Sequence, residues 1–116
     1  MLHHVSLEID PGDAARFVEL LDTIGFDRID APAPLGDAVH WFERGGSQVH
    51  LILTEAARGP LLGHAAFVAQ PFEETLADLR ARGFEVEDAR ELWGGARAFV
   101  LAPSGHRLEL MAAPPA

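Results

Sequence analysis

From Leu2 to Ile9 the chain alternates, with Val5, Leu7 and Ile9 apolar and His4, Ser6 and Glu8 polar. This predicts a half-buried strand. Asp10-Pro11-Gly12-Asp13 reads as a turn whose acids suit a helix start. Between Ala14 and Ile24, Phe17, Leu20, Leu21 and Ile24 recur at three- and four-residue spacing, predicting an amphipathic helix that Gly25 ends. Three short strands are expected next, Phe26–Asp30, Ala38–Glu43 and Ser47–Leu53. The Pro-rich stretch Ala31–Gly36 and the turn Arg44-Gly45-Gly46 divide them. After a connector, Thr54–Gly63, the order starts again. His64–Val68 is a strand and Phe72–Ala81 a helix with Phe72, Leu76 and Leu79 on one face, ended by Gly83. Phe84–Glu87, Arg97–Leu101 and His106–Met111 are strands, and Ala112–Ala116 is a loose tail.

The pattern is an internal repeat. His4-Val5-Ser6-Leu7 lines up with His64-Ala65-Ala66-Phe67 at an offset of 60, and Gly25-Phe26 with Gly83-Phe84 at 58. Gly46-Ser47-Gln48-Val49-His50-Leu51 lines up with Gly105-His106-Arg107-Leu108-Glu109-Leu110 at 59. Each half is βαβββ. A half of about 55 residues buries too little to be stable alone, so both are expected to share one structure. The expected organisation is one domain: module one 1–53, connector 54–63, module two 64–111 and tail 112–116.

Composition narrows the chemistry. At 48% hydrophobic and 23% charged, the 116-residue chain is expected to fold rather than be disordered. All nine basic residues are Arg, and Lys, Cys, Tyr and Asn are absent. Schiff bases, thiol nucleophiles, disulfides, cysteine zinc sites and N-glycosylation are thereby excluded. The net charge of −9 argues against nucleic acid or an anionic membrane as partner. The opening MLHHVSLEID shows no leader pattern, and no apolar run approaches the roughly 18 residues of a membrane span, so a cytoplasmic location is expected. No glycine fingerprint for dinucleotides and no G-x-S-x-G elbow occurs, and Ser104 reads as a turn residue. Chemistry therefore rests on His and carboxylates.

Those residues fall at matched positions. His4 and His64 lie in the first strand of each half, His50 and Glu109 in the last, all on the face opposite the apolar one. Singly, a strand His is a packing residue and a Glu between two Leu faces solvent. Four such residues at repeat-equivalent sites point instead to a metal site. His3 reads as a spacer and His106 as structural. His40, beside Trp41, is a candidate to line the cavity as a proton carrier. In Trp93-Gly94-Gly95-Ala96-Arg97, Trp93 can wall a substrate pocket and Arg97 can grip an anion, or the segment is a plain hairpin turn.

These segments resemble the vicinal oxygen chelate superfamily, which includes glyoxalase I, fosfomycin-resistance proteins, methylmalonyl-CoA epimerases, extradiol dioxygenases and bleomycin-binding proteins. The resemblance lies in Leu2-His3-His4-Val5-Ser6-Leu7, in Gly63-His64-Ala65-Ala66-Phe67 and in Ala102-Pro103-Ser104-Gly105-His106-Arg107-Leu108-Glu109-Leu110. The last is similar to the family's D-P-x-G-H-x-x-E-L, with Ala102 in place of the Asp. The resemblance implies an α+β fold in which two βαβββ modules form a U-shaped mixed sheet around one divalent metal ion. Its ligands carry over to His4, His50, His64 and Glu109, where His50 stands in place of the usual Glu or Gln. Zn would be satisfied by these four, whereas Fe, Mn, Ni or Co would keep two positions open for neighbouring substrate oxygens. The implied activity is that of a lyase or isomerase on a small molecule with vicinal oxygens, Glu109 serving as base. The alternatives are an extradiol-type dioxygenase or a bleomycin-type antibiotic-binding module without catalysis. A homodimer that shares each site between chains is expected as well.

Overall fold

In the computed structural model, which describes residues 1–115, the repeat appears as two units, Met1–Gly59 and the chain from Pro60 onward. The first unit runs β1 (His4–Ile9), a 3-10 turn (Pro11–Asp13), α1 (Ala14–Thr23), β2 (Asp27–Ile29), a 3-10 segment (Ala33–Ala38), β3 (Val39–Arg44) and β4 (Ser47–Leu53). The second runs β5 (Ala65–Val68), α2 (Phe72–Ala81), β6 (Val86–Ala89), β7 (Arg97–Leu101), a 3-10 turn (Pro103–Gly105) and β8 (Arg107–Met111). Each is an α+β module with a four-stranded mixed sheet, ordered β1-β4-β3-β2 in one and β5-β8-β7-β6 in the other. The first and last strands of each module run parallel at the register Ser6 to His50 and Ala66 to Glu109, so the two sheets repeat residue for residue.

The helices seal one face of each sheet. α1 buries Phe17, Leu20 and Leu21, and the strands add Ile9, Phe42, Val49 and Leu51 to the core of that unit. α2 buries Leu76 and Leu79, joined by Ala98, Val100, Leu108 and Leu110. Both helices stop at a glycine in the left-handed region, Gly25 at φ +94° and Gly83 at φ +84°. The following Phe26 and Phe84 amides donate back to Leu21 and Leu79 carbonyls at 2.9 and 3.0 Å. This closure satisfies the last helix carbonyls and turns the chain toward the sheet. At the other end of α1, Asp10 accepts from the Gly12 amide at 2.9 Å and from the Ala56 amide at 2.8 Å, tying the connector to the turn before the helix. Those two backbone bonds, Ala56 first, hold its carboxyl below the ordinary carboxylate value.

Local differences from expectation have local causes. The strand expected at Phe84–Glu87 is β6 at Val86–Ala89, because Phe84 is spent on closing α2 and lies buried. The Pro-rich divider forms a 3-10 segment that extends to Ala38, so β3 begins at Val39. His64 immediately precedes β5 instead of opening it. Of the expected tail, the Ala112 amide donates to Ala96 O at 3.0 Å, and Ala116 lies outside the described residues. Among the described residues no helix is long and apolar enough to cross a membrane.

Candidate metal and ligand site

Strand register settles which side chains share the face away from each helix. In the first unit, Trp41 pairs directly with His50, and His4 pairs with Gln48, so these four lie on one face. His50 stacks on Trp41 with ring centroids 4.0 Å apart and planes 1° from parallel. His4 stacks on the other side of His50 at 4.1 Å and 20°. The result is a column, Trp41–His50–His4. Its middle ring is anchored by a 2.8 Å hydrogen bond between His50 Nε2 and Gln48 Oε1, in which the ring nitrogen donates. His50 is only 6% exposed, and burial, then the neighbouring His4 and His3, lowers its pKa, so it is neutral at neutral pH. His3 is more than a spacer: its Nδ1 lies 3.0 Å from His4 Nδ1, one ring donating to the other.

The second unit places different chemistry at the equivalent positions. Glu109, 5% exposed, holds the position of His50, and Phe99 pairs with it as Trp41 pairs with His50. His64 Nε2 lies 2.9 Å from Glu109 Oε1, while its Nδ1 lies 2.9 Å from the Leu62 carbonyl oxygen. Because a carbonyl only accepts, Nδ1 carries a proton. Nε2 then meets the carboxylate oxygen in one of two ways, as the donor of an imidazolium–carboxylate pair or, in the neutral ring, as a lone pair that a metal cation can take up. Metal-bound histidines characteristically give their second N–H to a carbonyl in this way.

Arg97 completes the group. Its Nε donates to Glu109 Oε2 at 3.0 Å and its Nη1 to Arg90 O at 2.9 Å. The guanidinium lies over the Trp93 ring at 5.6 Å and over Phe99 at 5.3 Å. Burial pushes the Glu109 carboxyl up, but the hydrogen bonds from Arg97 and then His64, with their charges, outweigh it and hold the pKa below the ordinary value. Arg107, two residues before Glu109 on the same strand face, covers Phe99 at 4.1 Å. Arg107 was not among the expected site residues, and its alternation with Glu109 and Met111 is the signal in the sequence for its place on this face.

The remaining candidates separate. Trp93 does lie beside Arg97, its indole Nε1 buried without a hydrogen-bond partner. His40 does not join the site residues of its unit. It pairs with Leu51, on the core face, and lines a cavity of about 120 Å³ with Arg28, Asp30, Asp37 and Val39. Trp41 lines the same cavity, although neighbouring strand residues point to opposite faces and His40 therefore lies on the face away from His4 and His50.

Each unit thus brings together its own pair of expected ligands. Among the described residues no group of three or more His, Asp or Glu side chains is gathered for a metal ion. The His64–Glu109 pair fits one, since its donors face each other with the imidazole orientation already fixed. The His4–His50 pair does not fit as it stands. Two near-parallel rings stacked face to face keep their nitrogens in separate planes, and a single ion cannot lie in both.

Comparison with known proteins adds the lineage. The family model for the Glyoxalase/Bleomycin resistance protein/Dioxygenase superfamily matches residues 3–110. No curated protein matches the chain in sequence. Among solved structures, a protein assigned to the glyoxalase family from Bacillus anthracis is similar at 26% identity and TM-score 0.84, covering 96% of this chain and 93% of that one. Oxidase ChaP-H2 is similar at 20% identity and TM-score 0.78, with 99% and 94% covered. The fosfomycin resistance protein FosX from Listeria monocytogenes, complexed with Mn(II) and sulfate, is similar at 19% identity and TM-score 0.77, with 98% and 90% covered.

Proposed function

The chain belongs to the Glyoxalase/Bleomycin resistance protein/Dioxygenase superfamily, and on that premise we propose that it is a divalent-metal-dependent enzyme of lyase or isomerase type. Its substrate is a small molecule with two neighbouring oxygens. The observation that supports this reading is the His64–Glu109 pair, in which Leu62 O fixes the imidazole so that Nε2 and a carboxylate oxygen face each other, ready to share a cation in place of a proton. His64 and Glu109 are the primary ligands in the second unit, and in the first unit His4 and His50 offer ring nitrogens to an ion only when their stack opens. A divalent ion held there supplies Lewis acidity toward the substrate oxygens and acidifies the adjacent C–H. The FosX complex with Mn(II) makes manganese the first ion to try, with Fe, Co, Ni and Zn beside it.

The chain's own residues do the rest. Leu62 O orients His64, and Phe99 walls it edge-on at 5.0 Å. Arg97 keeps Glu109 ionised, which suits it to remain a ligand. As a base, Glu109 works only when the Arg97 bond is released, because a carboxylate held low takes up a proton poorly. On this face Arg97 pairs with Glu109 at 3.0 Å and Arg107 with Glu87 at 3.9 Å, so two positive charges meet two negative ones and an anionic substrate has to compete for the arginines.

The Trp41–His50–His4 column supports a second reading, a binding module that stacks a flat heteroaromatic ligand without catalysis. Elemental analysis of tag-free protein distinguishes the two. The enzyme reading expects close to one divalent ion per chain, with that ion lost in His64→Ala. Metal-free protein that takes up none on titration with Mn(II), Fe(II), Co(II), Ni(II) or Zn(II) overturns it in favour of the binding module.

A further inference from the structure

We infer that Arg97 is a positioning residue that weakens the hold of the His64–Glu109 pair on a divalent ion and restricts Glu109 to binding through one oxygen. The inference rests on the metal-site reading above and concerns the second unit alone.

The geometry assigns each carboxylate oxygen a separate partner. Oε1 faces His64 Nε2 at 2.9 Å, and Oε2 accepts from Arg97 Nε at 3.0 Å. Arg97 is not free to drift away, since its second arm is bound to Arg90 O at 2.9 Å and its plane is covered by Trp93 and Phe99. Its side chain is 12% exposed and that of Glu109 is 7% exposed, so water screens the pair little. A carboxylate with both oxygens available can clasp an ion with two bonds. With Oε2 occupied by a guanidinium, one oxygen remains, and it shares its charge with a fixed cation.

The internal repeat supplies an independent comparison. Arg97 pairs with Met111 on β8, two residues beyond Glu109, and the equivalent of Arg97 in the first unit is Val39, which pairs with Ile52, two residues beyond His50. The cation stands where the last strand presents a carboxylate, and an apolar side chain stands where it presents a neutral imidazole. The charge of Arg97 thus follows that of its diagonal neighbour, and the experiment below separates a cation that only neutralises Glu109 from one that tunes its hold on an ion. A loosely held ion that leaves coordination positions open suits a site that must admit two substrate oxygens and release product.

The test uses Mn(II) and Co(II) as probes on the full chain, with wild type, Arg97→Met, Arg97→Gln and Arg97→Lys. Calorimetry is expected to show Mn(II) bound on the order of tenfold more tightly by Arg97→Met and Arg97→Gln, because a nearby positive charge is removed. Arg97→Lys, which keeps the charge, should stay near wild type. The Co(II) visible band should weaken in Arg97→Met and Arg97→Gln as Glu109 binds through both oxygens and the coordination number rises. Equal or weaker Mn(II) binding with an unchanged Co(II) band in the two neutral variants overturns the inference and leaves the metal site standing. Failure of wild type to bind either ion overturns the metal reading itself. Should Arg97→Met fail to fold, the shorter but polar Arg97→Gln carries the result.

Discussion

At the scale of single residues, His40 shows how an ordinary side chain becomes a pH-sensitive element. Its Nδ1 is buried without a partner beside a polar cavity. Burial, and then the charge of Arg28, lowers its pKa below the ordinary 6.5, outweighing the opposing pull of Asp37. The unfolded chain therefore takes up a proton near pH 6.5 that the folded chain refuses. The stability this group contributes is present above that pH and is lost as pH falls through its folded value. Urea unfolding from pH 7.5 to 5, followed by tryptophan fluorescence, should show wild type losing more stability than His40→Leu. His50, also held low, is common to both proteins, so parallel pH slopes would refute the assignment to His40. Tryptophan emission also reports on the candidate site. In Trp93→Phe, Trp41 is the remaining indole, and His50 stacks on it at 4.0 Å. Metal loading that recruits His50 must open the stack and change Trp41 emission. Stoichiometric metal uptake with unchanged emission would remove His50 from the ligand set.

At the scale of elements, the fold was legible wherever period and punctuation agreed. α1 and α2 carry apolar positions at helical spacing and stop at Gly25 and Gly83, and both appear within a residue of expectation. β4 and β7 match because alternation ran between clear turns. β6 slipped by two residues, since nothing in Phe84 itself says that its amide will close the preceding helix. The 3-10 segments carry no repeating apolar position, so Pro11–Asp13 and Pro103–Gly105 fall where turns are expected and Ala33–Ala38 falls largely in the Pro-rich divider. The site divides in the same manner. Face and register follow from alternation, so His50 and Glu109 land at equivalent positions, as the repeat required. Contacts between side chains do not follow from it. Alternation cannot say that His50 lies flat on Trp41, that Gln48 holds it, or that Arg97 turns inward to Glu109 instead of outward to a ligand.

At the scale of the whole molecule, two similar modules carry unlike halves of the proposed chemistry, a neutral stacked column and a charged pair with its clamp. Neither pair alone offers the three or four donors a transition metal holds firmly. We propose that a homodimer unites them, each site taking His4 and His50 from one chain and His64 and Glu109 from its partner. Light scattering at micromolar concentration should then give twice the 12.5 kDa chain mass. Oligomeric state alone cannot locate the site, so the decisive experiment uses two defective chains. His4→Ala spoils one contribution and Glu109→Ala the other, and each variant alone should lack intact sites. If sites are shared between chains, a mixed dimer contains one doubly damaged site and one intact site. Random exchange of subunits in an equal mixture would then restore about a quarter of all sites. If sites form within chains, every site in the mixture retains one lesion and none is restored. Co(II) absorbance, which counts filled sites directly, should recover on mixing after subunit exchange is verified by mass-tagged chains. Exchange without recovery would confine the site to one chain and refute the shared arrangement.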